Sequence, residues 1–489
     1  MADTTFIDRQ TPIVASWLND VNTTTYGVVN VKHYGAVGDS VTDDTAALDA
    51  AAAQIALTGG TLEVPPGTYR HDGAWVITGD NIELVGHGYS SCIVNTDTTT
   101  DGSFTVQMVG DNCTARNFRI DGKKADITAT LTTRTGLRME GDYATAEGVF
   151  VHDTLTAAMS IGFGRGAKVR GCTVYDIGYV SGHLDAGGII VSTSRAPSIV
   201  GNTVYSTARS GIFTYECTRV TMTGNTVDTC ENGLRLDAVD KDQDSFSVIS
   251  GNVATNGTGD GIRFTGSRVA VTGNVCYGNA GSGAVSGGGS DQTVTGNTFI
   301  ANTTNGLRVG EEDGPSIRLT IAGNNCSGNT GNGIHFTNTT VAITDAVITG
   351  NNLLGNGDRP LRLTATSAAS TLVLADNNWP AGNVPQLSYS GWSVSRPGPS
   401  HNSTAAASTI TLYGDGYHGI SGTADINTIT AMPAGNAVIL YFVGTAATNG
   451  LVDAAGNLRL AGNFAYAPNA SIHLVSNGTN WIEVSRSLN

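Results

Sequence analysis

The stretch TMTGNTVDTCENGLRLD, residues 221–237, carries two markers that recur along the chain. The first is a Gly-Asn pair followed by an apolar residue, here at Gly224. It stands also as VGNTV at Gly201, SGNV at Gly251, TGNV at Gly273, TGNTF at Gly296, AGNNC at Gly323 and TGNNL at Gly350, with RGCTV at Gly171 as a variant. Successive glycines are 30, 23, 27, 22, 23, 27 and 27 residues apart. The second marker, glycine plus an aliphatic, keeps step: GLRM at Gly136, GIIV at Gly188, GIFT at Gly211, GLRL at Gly233, GIRF at Gly261, GLRV at Gly306 and GIHF at Gly333.

A period of 22–30 residues made of short alternating strands, with no helical pattern between them, is the signature of a β-solenoid. One winding is too short to bury a face alone. Windings stacked at about 4.8 Å pair each strand with the one above and bury a continuous apolar column. A leucine-rich repeat of similar period needs an LxxLxL frame, which is missing. Asn202, Asn225, Asn252, Asn274, Asn297, Asn324 and Asn351 fall in one register, so an amide ladder is expected, with the preceding glycine making the bend. The fold class predicted is all-β, a right-handed parallel β-helix over residues 75–395.

The 489 residues include 64 glycines, charged residues are only 14 %, and net charge is -15. Without a block of Lys or Arg, neither nucleic acid nor an anionic membrane surface is an expected partner. No apolar run is long enough for membrane insertion. The first residues, MADTTFIDRQTP, lack a basic region followed by an apolar one, so no secretory leader is expected and the chain is read as synthesised in a cytoplasm. The seven cysteines are scattered, odd in number and never at CxxC spacing, which predicts buried thiols rather than disulfides or metal ligands. No cofactor or metal is expected.

The two ends depart from the repeat. TDDTAALDAAAAQIALTGG (42–60) predicts a helix with an apolar stripe of Leu48, Ala51, Ala52 and Ile55, opened by Asp43 and Asp44 and stopped by Gly59 and Gly60. Such a helix suits the open end of a solenoid, where bare strand edges would otherwise recruit other chains. Residues 396–489 alternate without Gly-Asn markers, which predicts a separate β-sandwich-like domain serving trimerisation or carbohydrate binding.

VNVKHYGAVGDSVTDDTAALDAAAAQIALTGGTLEVPPGTYR (29–70) resembles the opening module of the pectate-lyase-like β-helix superfamily: YGAVGDxxTDDT, a helix, then GGTLxVPPGTY. TPIVASWLNDVNTTTYG (11–27) looks like the segment that joins phage tailspikes to the virion, and the ending from Gly456 is similar to a tailspike C-terminal module. The resemblance implies a virion-connecting segment (1–28), an opening module (29–74), a groove-bearing β-helix (75–395) and a C-terminal domain (396–489). It implies a bacteriophage tailspike, a homotrimer in the virion tail, that binds and usually depolymerises a bacterial capsule or O-antigen polysaccharide. The chain departs from the secreted pectinases, having no NTD…DD…RIK set, no RxPxxR and no YDPHE motif.

Alternation fixes which side chains leave the core. One outward column reads Arg138, Ser160, Ile190, Phe213, Arg235, Arg263, Arg308 and His335; the next reads Glu140, Gly162, Ser192, Tyr215, Asp237, Thr265, Gly310 and Thr337. Aromatic faces lie under sugar rings and arginine forks grip hydroxyls and carboxylates, so Phe213, Tyr215, Arg235, Arg263 and Arg308 are candidate substrate-binding residues. Ile190 and Phe213 could instead serve a trimer interface.

Just beyond Arg235 the turn lengthens and gathers Asp237, Asp240, Asp242 and Asp244. Glycoside hydrolysis needs two carboxyl groups, one protonated and one ionised. Glu216 and Asp237 fall on adjoining rungs, and Asp240 follows. Some tailspike hydrolases resemble this, with two aspartates three residues apart and a glutamate on an earlier coil. Glu216, Asp237 and Asp240 are therefore the candidate catalytic set. A rival long turn, YVSGHLDAGG (179–188), brings Tyr179, His183 and Asp185, which with Tyr215 and Arg235 suit β-elimination of a uronic acid by a lyase. A non-catalytic receptor-binding spike is the third reading. GEEDGPS (310–316) is expected to be a solvated bulge.

Overall fold

The computed structural model describes residues 27–97, 103–127, 134–178, 186–237, 245–310, 316–337, 343–363, 370–379, 386–387, 392–395, 403–412, 416–443, 445–446 and 448–487. It is a mostly β, parallel solenoid of about 14 turns with very few helices, the fold class the repeat predicts. The chain divides into two compact units, one of residues 1–289 with 297–304 and one of residues 290–296 with 305–489.

In the first unit, each winding contributes to three parallel sheets. In the quoted stretch its strands are Thr221–Thr223, Thr226–Cys230 and Leu234–Asp237. Gly224 bends the chain between the first two with φ 63°, a left-handed conformation that costs glycine little. Residues some two dozen apart become neighbours. Met222 pairs with Ile199 and Ile249, Val227 with Val204 and Ala254, and Leu234 with Ile212 and Ile262. All nine are buried, and full burial of a large aliphatic contributes about 1.5–3 kcal/mol.

The asparagine ladder lies beside these columns. Along Asn202, Asn225, Asn252, Asn274 and Asn297, each Nδ2 donates to the next Oδ1 at 2.9 Å. That oxygen also accepts the backbone N–H of the same neighbour at 2.9–3.0 Å. The second Nδ2 hydrogen goes to a carbonyl, as from Asn252 to Met222 at 3.0 Å. The side chains are buried, yet their polar groups are bonded. A second ladder, Asn279 to Asn302 at 2.9 Å, satisfies another corner.

The helix spans Thr45–Thr58 and buries Leu48, Ala51, Ala52 and Ile55, the predicted stripe. Of the two aspartates that open it, Asp43 caps the helix as expected and Asp44 does not. Asp43 accepts from Thr45 N and Oγ1 at 3.0 and 2.6 Å. Asp44 makes no side-chain cap. It is buried and accepts from Val37 N at 2.7 Å and Arg70 N at 3.3 Å, tying the preceding loop to a strand. Trp75, fully buried, donates its Nε1–H to Leu48 O at 3.0 Å. All seven cysteines are buried free thiols, as predicted.

The second unit repeats the device: Asn324 donates to Asn351, and Asn351 to Asn377. Its third-sheet strands Leu307–Val309, Ile334–Phe336 and Leu361–Leu363 pair in parallel. Residues 403–487 form a six-stranded sheet in the order Ser403–Ala405, Gly416–Ser421, Ala437–Phe442, Ser471–Ser476, Trp481–Ser487, Leu458–Arg459. The first three strands pair in parallel and the next two pairings are antiparallel. Among its buried residues, Phe442 and Tyr466 stack with centroids 4.0 Å apart.

Asn252→Leu removes the acceptor for two buried donors of Asn225 and leaves the carbonyl of Met222 without its amide. It should lower unfolding free energy by about 3 kcal/mol in equilibrium denaturation, whereas Thr226→Val, on an exposed site, should stay within about 0.5 kcal/mol. Equal midpoints for the two variants would remove the ladder's role.

Candidate functional site

Six third-sheet strands of the first unit build the outward strip: Arg134–Glu140, Ala157–Gly162, Gly187–Ser192, Ser210–Tyr215, Leu234–Asp237 and Ile262–Phe264. Their register places Arg138, Ser160, Ile190, Phe213, Arg235 and Arg263 in one column. Glu140, Gly162, Ser192, Tyr215 and Asp237 form the next. As far as Arg263 and Asp237, both columns match the alternation read from the sequence. Arg263 pairs next with Val285, on Ala284–Ser286, a winding whose small residues give no Gly-aliphatic marker. Arg308 therefore does not follow Arg263. It lies in the second unit, opposite His335.

Two large side chains of the strip are not exposed. Ile190 and Phe213 are 2 % and 7 % exposed and pack with Ala157. The Arg235 guanidinium lies 5.0 Å from the centroid of the Phe213 ring, so a cation rather than solvent covers that face. This withdraws Phe213 as an open sugar platform and Ile190 as an exposed interface residue. Tyr215, 44 % exposed, is the accessible aromatic here, tilted 43° against Phe213 at 6.2 Å.

Arg235 and Asp237 sit two apart on one strand and so share a side. Arg235 Nε and Nη2 reach Asp237 Oδ2 at 2.9 and 2.6 Å. Tyr215 is the register partner of Asp237, and Glu216 follows Tyr215 directly. Glu216 turns the strand corner with φ 53°, as Phe163 and Thr193 do at φ 61° and 49°. Such left-handed backbone is costly for a residue with a Cβ, and here it recurs at three successive windings of the strip. Glu216 Oε2 accepts from Thr193 Oγ1 at 3.3 Å. Glu216 and Asp237 are thus brought onto adjoining rungs. Asp240, Asp242 and Asp244 lie outside the described residues, as do Tyr179, His183, Asp185, Glu311, Glu312 and Asp313. Arg263 Nη1 stands 3.7 Å from Asp260 Oδ2.

The same Arg-x-carboxylate device occurs three strands earlier than Ser210–Tyr215. Arg138 Nε bonds Glu140 Oε1, and Gln107 Nε2 donates to that oxygen at 3.4 Å. The Arg138 guanidinium lies 5.0 and 5.2 Å from the rings of Phe104 and Phe163. Phe104, Phe163 and Gln107 escape the repeat pattern. The likeness of GLRME (136–140) to GLRLD (233–237) is the signal that finds this second pair.

The second sheet carries an aromatic ladder that no motif announces. His152, Tyr175 and Tyr205 stack with centroids 4.9 and 5.1 Å apart, and the Tyr89 and Tyr175 hydroxyls are 3.2 Å apart. Burial, then the Tyr89 hydroxyl, pushes the Tyr175 phenol well up. Stacked rings spend their faces on each other, so this ladder presents edges rather than sugar platforms. Asp121, His152 and Asp153 lie within 4.8 Å of one another. Lys123 and Lys124 stand 3.3 and 3.9 Å from the two carboxylates.

A family model described as "Rhamnogalacturonase A/epimerase, pectate lyase-like" matches residues 28–235. A second, "Periplasmic copper-binding protein (NosD)", matches residues 164–314 and again 271–419, an overlap natural to repeats that fit in more than one register. The chain is thus a parallel β-solenoid whose opening windings match a pectate-lyase-like family model. The Azotobacter vinelandii mannuronan C5-epimerase AlgE2 is 42 % identical over 73 residues, covering 13 % of this chain and 7 % of that protein. Among solved structures, the Dettilon tailspike protein gp208 superposes with TM-score 0.55, 19 % identity and 67 % of each chain covered. The Azotobacter vinelandii epimerase AlgE4 A-module gives 0.53, 19 % identity, and 67 % and 96 % coverage. The GH87 α-1,3-glucanase of Streptomyces thermodiastaticus gives 0.51, 17 % identity, and 76 % and 69 % coverage. At these identities the superpositions show a shared fold.

In the second unit, burial and then Arg362 and Arg308 depress the His335 pKa to about 4, against a smaller opposing effect of Asp358. The unfolded chain then binds the extra proton first, so this residue's contribution is present above about pH 6.5 and is lost as pH falls toward about 4. Denaturation of His335→Gln across that window should show a shallower acid loss than the parent, and an unchanged slope would contradict the assignment.

Proposed function

We propose that this chain binds and cleaves a bacterial surface polysaccharide, capsule or O-antigen, by glycoside hydrolysis. The observation that carries the reading is the placement of Glu216 and Asp237 on adjoining rungs, with Arg235 bonded to Asp237. A carboxylate gripped by a guanidinium is suited to the ionised role of base or nucleophile. Glu216, on the neighbouring rung, is assigned the general acid that protonates the leaving oxygen. Asp240, three residues beyond Asp237, completes the proposed set. Tyr215 and Arg263 flank it and offer a stacking face and a fork for the sugar. The Arg138–Glu140 pair extends the same strip toward earlier windings.

The superposed fold supports this reading because its bearers include a phage tailspike, a polysaccharide epimerase and a glucanase. The protein is proposed to be a tailspike of the virion tail, a homotrimer attached through its N-terminal segment and acting outside the bacterium. Its partner is the glycan.

Purified protein incubated with a panel of capsules and lipopolysaccharides should release oligosaccharides with new reducing ends and no ultraviolet-absorbing unsaturated uronate. Asp237→Asn and Glu216→Gln should each lower cleavage by at least about 100-fold while glycan binding persists. Unsaturated products would replace hydrolysis with β-elimination. Binding without any product would leave an adhesive spike, and full activity in both variants would discard the site.

A further inference from the structure

The first unit contains a cavity of about 330 Å³, remote in sequence from the Glu216–Asp237 pair. It lies where the second sheet hands over to the third, on the opening windings. Arg134, first residue of its strand, lines it. The Arg134 guanidinium is fully buried, and Nε, Nη1 and Nη2 have no hydrogen-bond partner among the described residues. Burial pulls its pKa down and Asp97 opposes that effect, but an arginine side chain keeps its proton in a protein. A buried cation with three unanswered donors is the kind of group an anion completes.

The rest of the lining has the matching chemistry. Arg70 and Lys123 add positive charge, Ser40 and Thr68 add hydroxyls, and Asn95 adds an amide. Part of this set is already tied. Arg70 Nη1 donates to Val41 O at 2.5 Å, Lys123 Nζ stands 3.3 Å from Asp121, and Asn95 Nδ2 donates to Phe104 O at 3.0 Å. Those bonds fix the walls and leave Arg134 as the unsatisfied group. Asp126 also lines the cavity and offsets one of the three cations. The volume is at the lower end of small-molecule sites, about 300 Å³, and suits one sugar unit rather than a chain.

We propose that this cavity is a subsite for an acidic sugar, whose carboxylate accepts from Arg134 while its hydroxyls meet Ser40 and Thr68. It deepens the polysaccharide reading and rests on it for the identity of the ligand. A cavity of about 330 Å³ is far larger than a bare oxyanion and is filled by a whole sugar, so a uronate is favoured over inorganic phosphate.

Thermal unfolding and calorimetric titration of the full chain with sodium glucuronate, glucose and inorganic phosphate test this. Glucuronate should bind and raise Tm, with glucose and phosphate far weaker. Arg134→Met should fold, match or exceed the parent Tm without ligand, and lose the glucuronate shift. Lys123→Gln, at a half-exposed position, should keep the fold and weaken glucuronate by about tenfold. Equal shifts from glucose or from phosphate would overturn the acidic-sugar assignment, as would a glucuronate shift that survives in Arg134→Met. A ligand-free loss of stability in that variant would show the charge already compensated and would also overturn it. Glucuronate binding without polysaccharide cleavage would sink the hydrolase reading and leave this one standing. Cleavage without glucuronate binding would do the reverse.

Discussion

Register between windings is the constraint from which the rest of this protein follows. A parallel solenoid holds its strands in pairs only if every winding bends at the same height. The left-handed glycine and the asparagine after it enforce that height. Each amide donates to the next along the axis and closes a carbonyl of the winding before, so slipping by one residue would bury several broken polar groups at once. The apolar columns of Ile199, Met222 and Ile249 supply cohesion, but aliphatic packing alone tolerates slippage. The polar ladder makes the fold specific, and the columns make it stable.

That register also makes the candidate site. Nothing in local sequence joins Tyr215 to Asp237; the stack does, and it brings Glu216 to the rung beside an Arg-paired aspartate. The corner residues Phe163, Thr193 and Glu216 share a left-handed backbone, so the geometry that ends these three strands also sets where the Glu216 carboxylate leaves the strip. Repetition on the sheet lets one motif be used twice, at Arg138–Glu140 and Arg235–Asp237. The cavity around Arg134 is a different sort of feature, a charge that the fold encloses and does not answer.

The fold was legible because its rules are periodic. Gly-Asn spacing foretold the first ladder, and alternation foretold both outward columns as far as Arg263. What failed were features that periodicity does not encode. The winding at Ala284–Ser286 carries no Gly-aliphatic marker because small residues replace it. Ile190 and Phe213 point outward along their strands yet are buried, since exposure depends on what packs over a sheet as well as on its parity. Asp44 stands in a capping position but serves the loop at Val37 instead, a choice decided by tertiary contacts. The Tyr175 ladder and the Arg134 cavity join residues from several windings with no shared motif.

The most direct test of register is a pair of introduced cysteines. Thr203 and Thr226 are exposed register partners on adjacent second-sheet strands, at a spacing of about 4.8 Å that suits a disulfide. Thr203 and Thr298 lie four rungs apart on that face, about 19 Å. Under mild oxidation the Thr203→Cys/Thr226→Cys chain should cross-link rapidly within the molecule, and the Thr203→Cys/Thr298→Cys chain should not. Failure of the first pair, or equal cross-linking of both, would contradict the stacking on which the strip, its carboxylates and the ladder all depend.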